Sequence, residues 1–127
     1  QLEDNLPPLS GFPPLTEAEQ QAVSQVVSEI RKVNDIPCTG CRYCMDCPSG
    51  VDIPGVFTIY SEYRVFDDPK GFVESYQGAI NKGYSADHCV RCGKCATHCP
   101  QQISIPQQLA RIHQLFLEEK AKLEAAQ

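Results

Sequence analysis

The sequence predicts an all-α domain built from two pseudo-symmetric loop–helix halves, and three observations carry that prediction. Apolar residues recur at helical spacing in four stretches, with no strand-like alternation and no hairpin turn signal. All eight cysteines fall in two runs, Cys38–Cys47 and Cys89–Cys99, each closed by a proline. The segment from Cys47 to Phe57 aligns with that from Cys99 to Leu109, both reading C-P-x-x-[VI]-x-I-P-x-x-apolar. The first three cysteines repeat at a shift of 51 residues and the fourth at 52.

Residues 1–15 hold Pro7-Pro8 and Pro13-Pro14 around Ser10-Gly11, which reads as an extended arm or linker with little structure of its own. Residues 16–127 are then the helical domain. Thr16-Glu17-Ala18-Glu19 fits the S/T-x-x-E capping box, in which two side chains satisfy orphan amides at a helix start. Ala22, Val23, Val26, Val27, Ile30 and Val33 form one apolar stripe up to Lys32 or Asn34, and Pro37 closes the segment. After the first cysteine run, Pro54 suits the first turn of a helix over Gly55–Phe66, with Val56, Ile59, Tyr60 and Tyr63 on one face.

Asp67-Asp68-Pro69 reads as a break and a fresh cap. The helix that follows turns Phe72, Val73, Tyr76, Ala79 and Ile80 inward and stops at Gly83. Pro106 opens a last helix of about 15–18 residues, with Leu109, Ile112, Leu115 or Phe116, and Leu123 on its apolar side. The charged, Ala-rich tail Glu118–Gln127 is expected to fray.

Composition narrows the function. The net charge of −5 argues against nucleic acid or an anionic membrane as partner, since either calls for a basic face. No apolar stretch is long enough to span a bilayer, and the first residues lack the basic start and apolar run of a signal peptide. A cytoplasmic compartment is therefore expected, where thiols stay reduced and free to bind metal.

The second run, C-x2-C-x2-C-x3-C-P from Cys89 to Pro100, has the spacing that holds 4Fe–4S clusters through thiolates. Three cysteines two residues apart let a tight loop wrap one corner of a cubane after another. Gly40 and Gly93 lie inside the loops, where a backbone without Cβ can approach the sulfides. The closing proline turns the chain away, and in two-cluster ferredoxins that fourth cysteine ligates the other cluster. Cys38, Cys41, Cys44 and Cys99 would then hold one 4Fe–4S cluster, and Cys89, Cys92, Cys95 and Cys47 the second. The first run departs by one residue, with only Met45 and Asp46 before Cys47; we expect Cys47 to cross nonetheless.

Zinc also takes four thiolates, but usually from two knuckles across a longer gap. Other candidates read more simply as structure. His98 faces solvent beside the second run, His113 flanks an apolar stripe, and Tyr60, Tyr63 and Tyr76 are core at helical spacing. Arg42, Arg91 and Lys94 read as surface charge, ahead of a role in tuning potential or docking a partner. The main functional alternative to electron transfer is a metal-stapled interaction domain without redox turnover; oxygen sensing through cluster loss is a third.

Forty-one residues separate Cys47 from Cys89, enough for two helices, and this long helical insert resembles the α-helical ferredoxin class. A closer resemblance rests on Ile36-Pro37-Cys38-Thr39-Gly40-Cys41-Arg42-Tyr43-Cys44-Met45, Cys47-Pro48, Gly50-Val51-Asp52-Ile53-Pro54 and Tyr60-Ser61-Glu62-Tyr63. These, with the lead-in Leu2-Glu3-Asp4-Asn5-Leu6 and Pro14-Leu15-Thr16, resemble the C-terminal dicluster domain of iron–sulfur aldo/keto reductases. Asp46 stands where that family usually has proline. The resemblance implies an electron-transfer module whose partner is an aldo/keto reductase barrel domain or another redox protein. The reductase's catalytic residues belong to the barrel, so none is carried onto this chain.

Overall fold

A computed structural model describes residues 2–9 and 11–126, and every regular element among them is helical. The chain divides into two compact units, Gln1–Lys32 and Val33–Gln127.

The first unit holds α1 (Leu2–Leu9) and α2 (Glu17–Val33). The helix at α1 corrects the expectation of an extended arm there, although Pro7 and Pro8 lie within it. Both fall in its second half, where each lacks the N–H that would complete an i→i−4 hydrogen bond. The capping box forms: Thr16 N donates to Glu19 Oε2 at 2.8 Å and Glu19 N to Thr16 Oγ1 at 3.3 Å. The valine stripe is present on α2, and none of its residues is buried.

The second unit is three packed helices, α3 (Ile53–Phe66), α4 (Pro69–Asn81) and α6 (Ile105–Ala125), with a 3-10 turn at Ala86–His88 and the one-turn α5 (Lys94–Thr97). Aspartates start two of them. Asp52 Oδ1 accepts from Gly55 N at 3.2 Å and Asp68 Oδ1 from Gly71 N at 2.9 Å. A Cβ at either glycine would run into the capping carboxylate. Asp67, in the left-handed region at φ 50°, ends α3 by donating its N–H to Tyr63 O.

The core is continuous from Val51 and Ile53 through Val56, Phe57 and Tyr60 to Leu109, Ile112 and Phe116. Tyr76 is fully buried, stacks on Phe116 at 4.6 Å between ring centroids, and pairs its hydroxyl with His113 Nδ1 at 3.2 Å. Phe57 joins this core beside the face formed by Val56, Ile59, Tyr60 and Tyr63.

The C-terminal segment does not fray as expected, since α6 runs on to Ala125. Glu119 is buried and pairs with Lys122 at 2.8 Å, while Lys120 donates to Gln77 Oε1 of α4 at 3.2 Å and lies 5.7 Å over the Phe116 ring. Charged residues thus hold the tail, their stems covering apolar surface.

Candidate metal centres

All eight cysteines lie in the second unit, none in a disulfide, and their backbone shows the repeat in detail. Met45 N donates to Arg42 O at 3.0 Å, and 51 residues on Ala96 N donates to Gly93 O at 3.0 Å. Gly50 N to Cys47 O at 3.1 Å is matched by Gln102 N to Cys99 O at 3.0 Å. Left-handed φ angles fall at Gly40, Arg42 and Gly50 in one half and at Arg91, Gly93 and Gln102 in the other. Each loop therefore needs the same two left-handed positions and fills one with glycine and one with arginine, in opposite order. No protein atom lies within 4 Å of a Cβ placed at Gly40 or Gly93, so backbone conformation, not crowding by protein, sets the requirement for glycine.

The missing residue of the first run also has a local consequence. The second run forms α5 around its third cysteine, whereas the first has only a turn at Tyr43-Cys44 and an irregular spacer before Cys47.

Two small pockets result, of about 20 and 10 Å³. One is lined by Cys38, Cys41 and Cys44 together with Cys99. The other is lined by Cys89, Cys92 and Cys95 together with Cys47. Their walls obey the same exchange. Pro54 and Phe57 of α3 line the first pocket, where the repeat puts Pro106 and Leu109 of α6 in the second. Ile105 closes the first and its counterpart Ile53 the second, so each pocket takes an isoleucine from the half opposite its three-cysteine loop. These apolar walls escaped the sequence reading, which named Leu109 only as helix packing; the shared I-P-x-x-apolar pattern was the available signal.

The chemistry of the donor set suits iron–sulfur clusters better than single ions. Thiolates on one tetrahedral zinc stand about 3.8 Å apart, from a Zn–S bond of about 2.3 Å. Among the described residues, no three or more His, Cys, Asp or Glu side chains converge closely enough to hold one ion. Thiols ringed around a pocket, four to each, instead match the four corners of a cubane. Burial pushes the Cys44 thiol up to about 11, with the neighbouring thiols of Cys38, Cys95 and Cys41 adding to it. Burial raises Cys95 as well, and Cys89 and Cys47 contribute. Bound metal would supply the positive charge that ionises these thiols.

A network outside the pockets secures the approach to the first loop. Arg111 Nη1 donates to Asp35 Oδ2 at 2.8 Å and Arg111 Nη2 to the Tyr60 hydroxyl at 3.0 Å, while that hydroxyl donates to Asp35 at 3.1 Å. Burial raises the Asp35 carboxyl, but the hydrogen bonds from Arg111 and Tyr60 and the charges of Arg111 and Arg64 outweigh it and hold the group below its ordinary value. The groove beside this network, lined by Tyr63, Arg64, Gln114 and Glu118, is larger than either cysteine pocket and contains no cysteine. His98 is exposed, and His113 belongs to the Tyr76 pair.

Comparison with known proteins agrees with this geometry. The profile of the 4Fe-4S dicluster domain family matches residues 37–104, which contain all eight cysteines. Neither the curated proteins nor the solved structures gave a match. No helix among the described residues is long and apolar enough to cross a membrane. An all-helical fold, four cysteines around each of two pockets and a match over more than half its length all agree: the chain belongs to the 4Fe-4S dicluster domain family and carries two 4Fe–4S clusters.

Proposed function

We propose that this domain is the electron-transfer module of an aldo/keto reductase-type oxidoreductase, working in the cytoplasm. Cys38, Cys41, Cys44 and Cys99 hold one cluster, and Cys89, Cys92, Cys95 and Cys47 the other. One electron at a time passes through the pair to a barrel domain or another redox protein. Residues 1–15 serve as the arm that joins the helical domain to that partner. The clusters supply the redox chemistry, while the chain sets their separation, burial and charge environment. The observation that carries the ligand assignment is the make-up of the two pockets, three cysteines of one run plus the last of the other. The reductase context rests on the resemblance of the first cysteine run and of the lead-in to it.

Iron counting in double variants tests the assignment. Replacing Cys41 and Cys99 together should remove one cluster and leave about four irons per chain; replacing Cys92 and Cys99 should damage both sites and leave almost none. The reverse pattern would show that each run holds its own cluster. Reversible bleaching of the visible spectrum by dithionite tests electron transfer, and its absence would leave a structural role. The reductase context requires that reduced protein be reoxidised by an iron–sulfur aldo/keto reductase barrel supplied with its carbonyl substrate.

A further inference from the structure

The eight cysteines are not equally placed. Cys41 and Cys92, the second of each run, are exposed, while the other six are partly buried. Each is the thiol its pocket presents to water, but their surroundings differ in charge. Arg91 and Lys94 flank Cys92, both exposed, and no acidic residue occurs from Cys89 to Cys99. The nearest acid before that run, Asp87, is occupied by the Ser85 hydroxyl. At the other corner, Asp46 offsets Arg42 within its run.

In a chain of net charge −5, two cations beside an exposed thiol stand apart from the acidic remainder. Arg91 is also kept in the left-handed region at φ 55°, where the matching position of the first loop has Gly40. Arg42 shares this conformation at φ 66°, so what sets the Cys92 corner apart is Lys94 beside it and the absence of acid in the run. Val90, 68 % exposed, adds an apolar contact to the same rim.

Resting on the electron-transfer reading above, we infer that the Cys92 corner is the docking surface for an acidic redox partner, whose carboxylates face Arg91 and Lys94. One electron crosses in each encounter. The second cluster goes from its 1+ to its 2+ core state, the partner's acceptor is reduced by one electron, and no bond or proton changes hands.

The test uses the dithionite-reduced holoprotein and two one-electron oxidants of opposite charge, hexacyanoferrate(III) and hexaammineruthenium(III), at low ionic strength. Arg91→Gly suits the left-handed backbone and should keep the visible spectrum. It and Lys94→Gln should each slow the anionic oxidant about threefold and speed the cationic one by a similar factor, with both effects fading in high salt. Arg91→Lys should restore the original rates, and Arg42→Gly should change them far less. Movement of both oxidants in the same direction would mean a shift in driving force and would overturn the inference.

A binding readout independent of turnover completes the experiment. Redox-inert hexacyanochromate(III) should broaden the Val90 methyl resonances before those of the Tyr43 ring, and the reverse order, or no selective broadening, refutes the site. If dithionite bleaches nothing, the electron-transfer reading fails by itself, and the broadening still reports whether this corner gathers anions.

Discussion

Tyr60→Phe tests whether the Asp35 network secures one cluster site and not the other. The substitution keeps the buried ring and its place 5.0 Å beneath the Arg111 guanidinium, and removes only the hydroxyl. That hydroxyl accepts from Arg64 and Arg111, each at 3.0 Å, and donates to Asp35 at 3.1 Å. Three hydrogen bonds to charged partners would nominally contribute about 1.5–3 kcal/mol each. The side chains of Arg64, Arg111 and Asp35 retain 35 %, 46 % and 31 % of their exposure, so water replaces much of what is lost.

A net cost of about 1–2 kcal/mol remains, equivalent to roughly a 5- to 30-fold change in a local opening equilibrium. Asp35 lies three residues before Cys38 and far in sequence from the second loop. Iron release into a ferrous chelator at neutral pH should therefore become biphasic, with half of the iron leaving about 5–30 times faster and half unchanged. The sign of the pH dependence follows from Asp35, whose carboxyl is held below its ordinary value of 3.8. Its contribution is complete above that value and is lost as pH falls through the lower folded-state one. The difference between Tyr60→Phe and the parent should accordingly persist at neutral pH and narrow only in strong acid. Equal acceleration of both phases, or of neither, would refute the idea that the network guards the first site.

Three further outcomes are expected. Gly93→Ala meets no protein atom yet must hold φ 78°, so it should cost about 1–2 kcal/mol and lower iron content, measured per chain after anaerobic purification. Gly71→Ala sets a methyl against the Asp68 carboxylate and should forfeit the α4 cap, about 1 kcal/mol, lowering the denaturation midpoint while leaving the visible spectrum unchanged. Removing iron with a strong chelator should cost helical circular dichroism cooperatively, since the pockets join the ends of α3 and α6 and their thiols lose the charge that ionises them; retention of the full helical signal would show that the helices pack without the metal.

Much of this molecule was legible in the sequence because the cysteines carry both spacing and a repeat. The starts of α3 and α4 were legible too, from Pro54 and the Asp67-Asp68-Pro69 break, although Asp52 set the first of them two residues early. What escaped was whatever depended on partners distant in the chain. Lys120 looks like part of a solvated tail until Gln77 of α4 is beside it. Phe57 lies beside its helix's stripe, and its neighbours Cys44 and Ile105 are what a helical wheel cannot show. The left-handed arginines were invisible for a different reason, since only glycine advertises that conformation locally.

The exchange of residues between the two halves also bears on how the chain is made. Synthesis runs from the N-terminus, so the loop holding Cys38, Cys41 and Cys44 emerges first. Its pocket has no fourth wall until Cys99 appears, and the second pocket, for which Cys47 has waited since early in translation, is complete only at Cys95 and its α6 residues. Both pockets are therefore completed late and close together, as the chain from Cys95 to Leu109 is made. A chain that ends before the second cysteine run lacks cysteines that line both pockets.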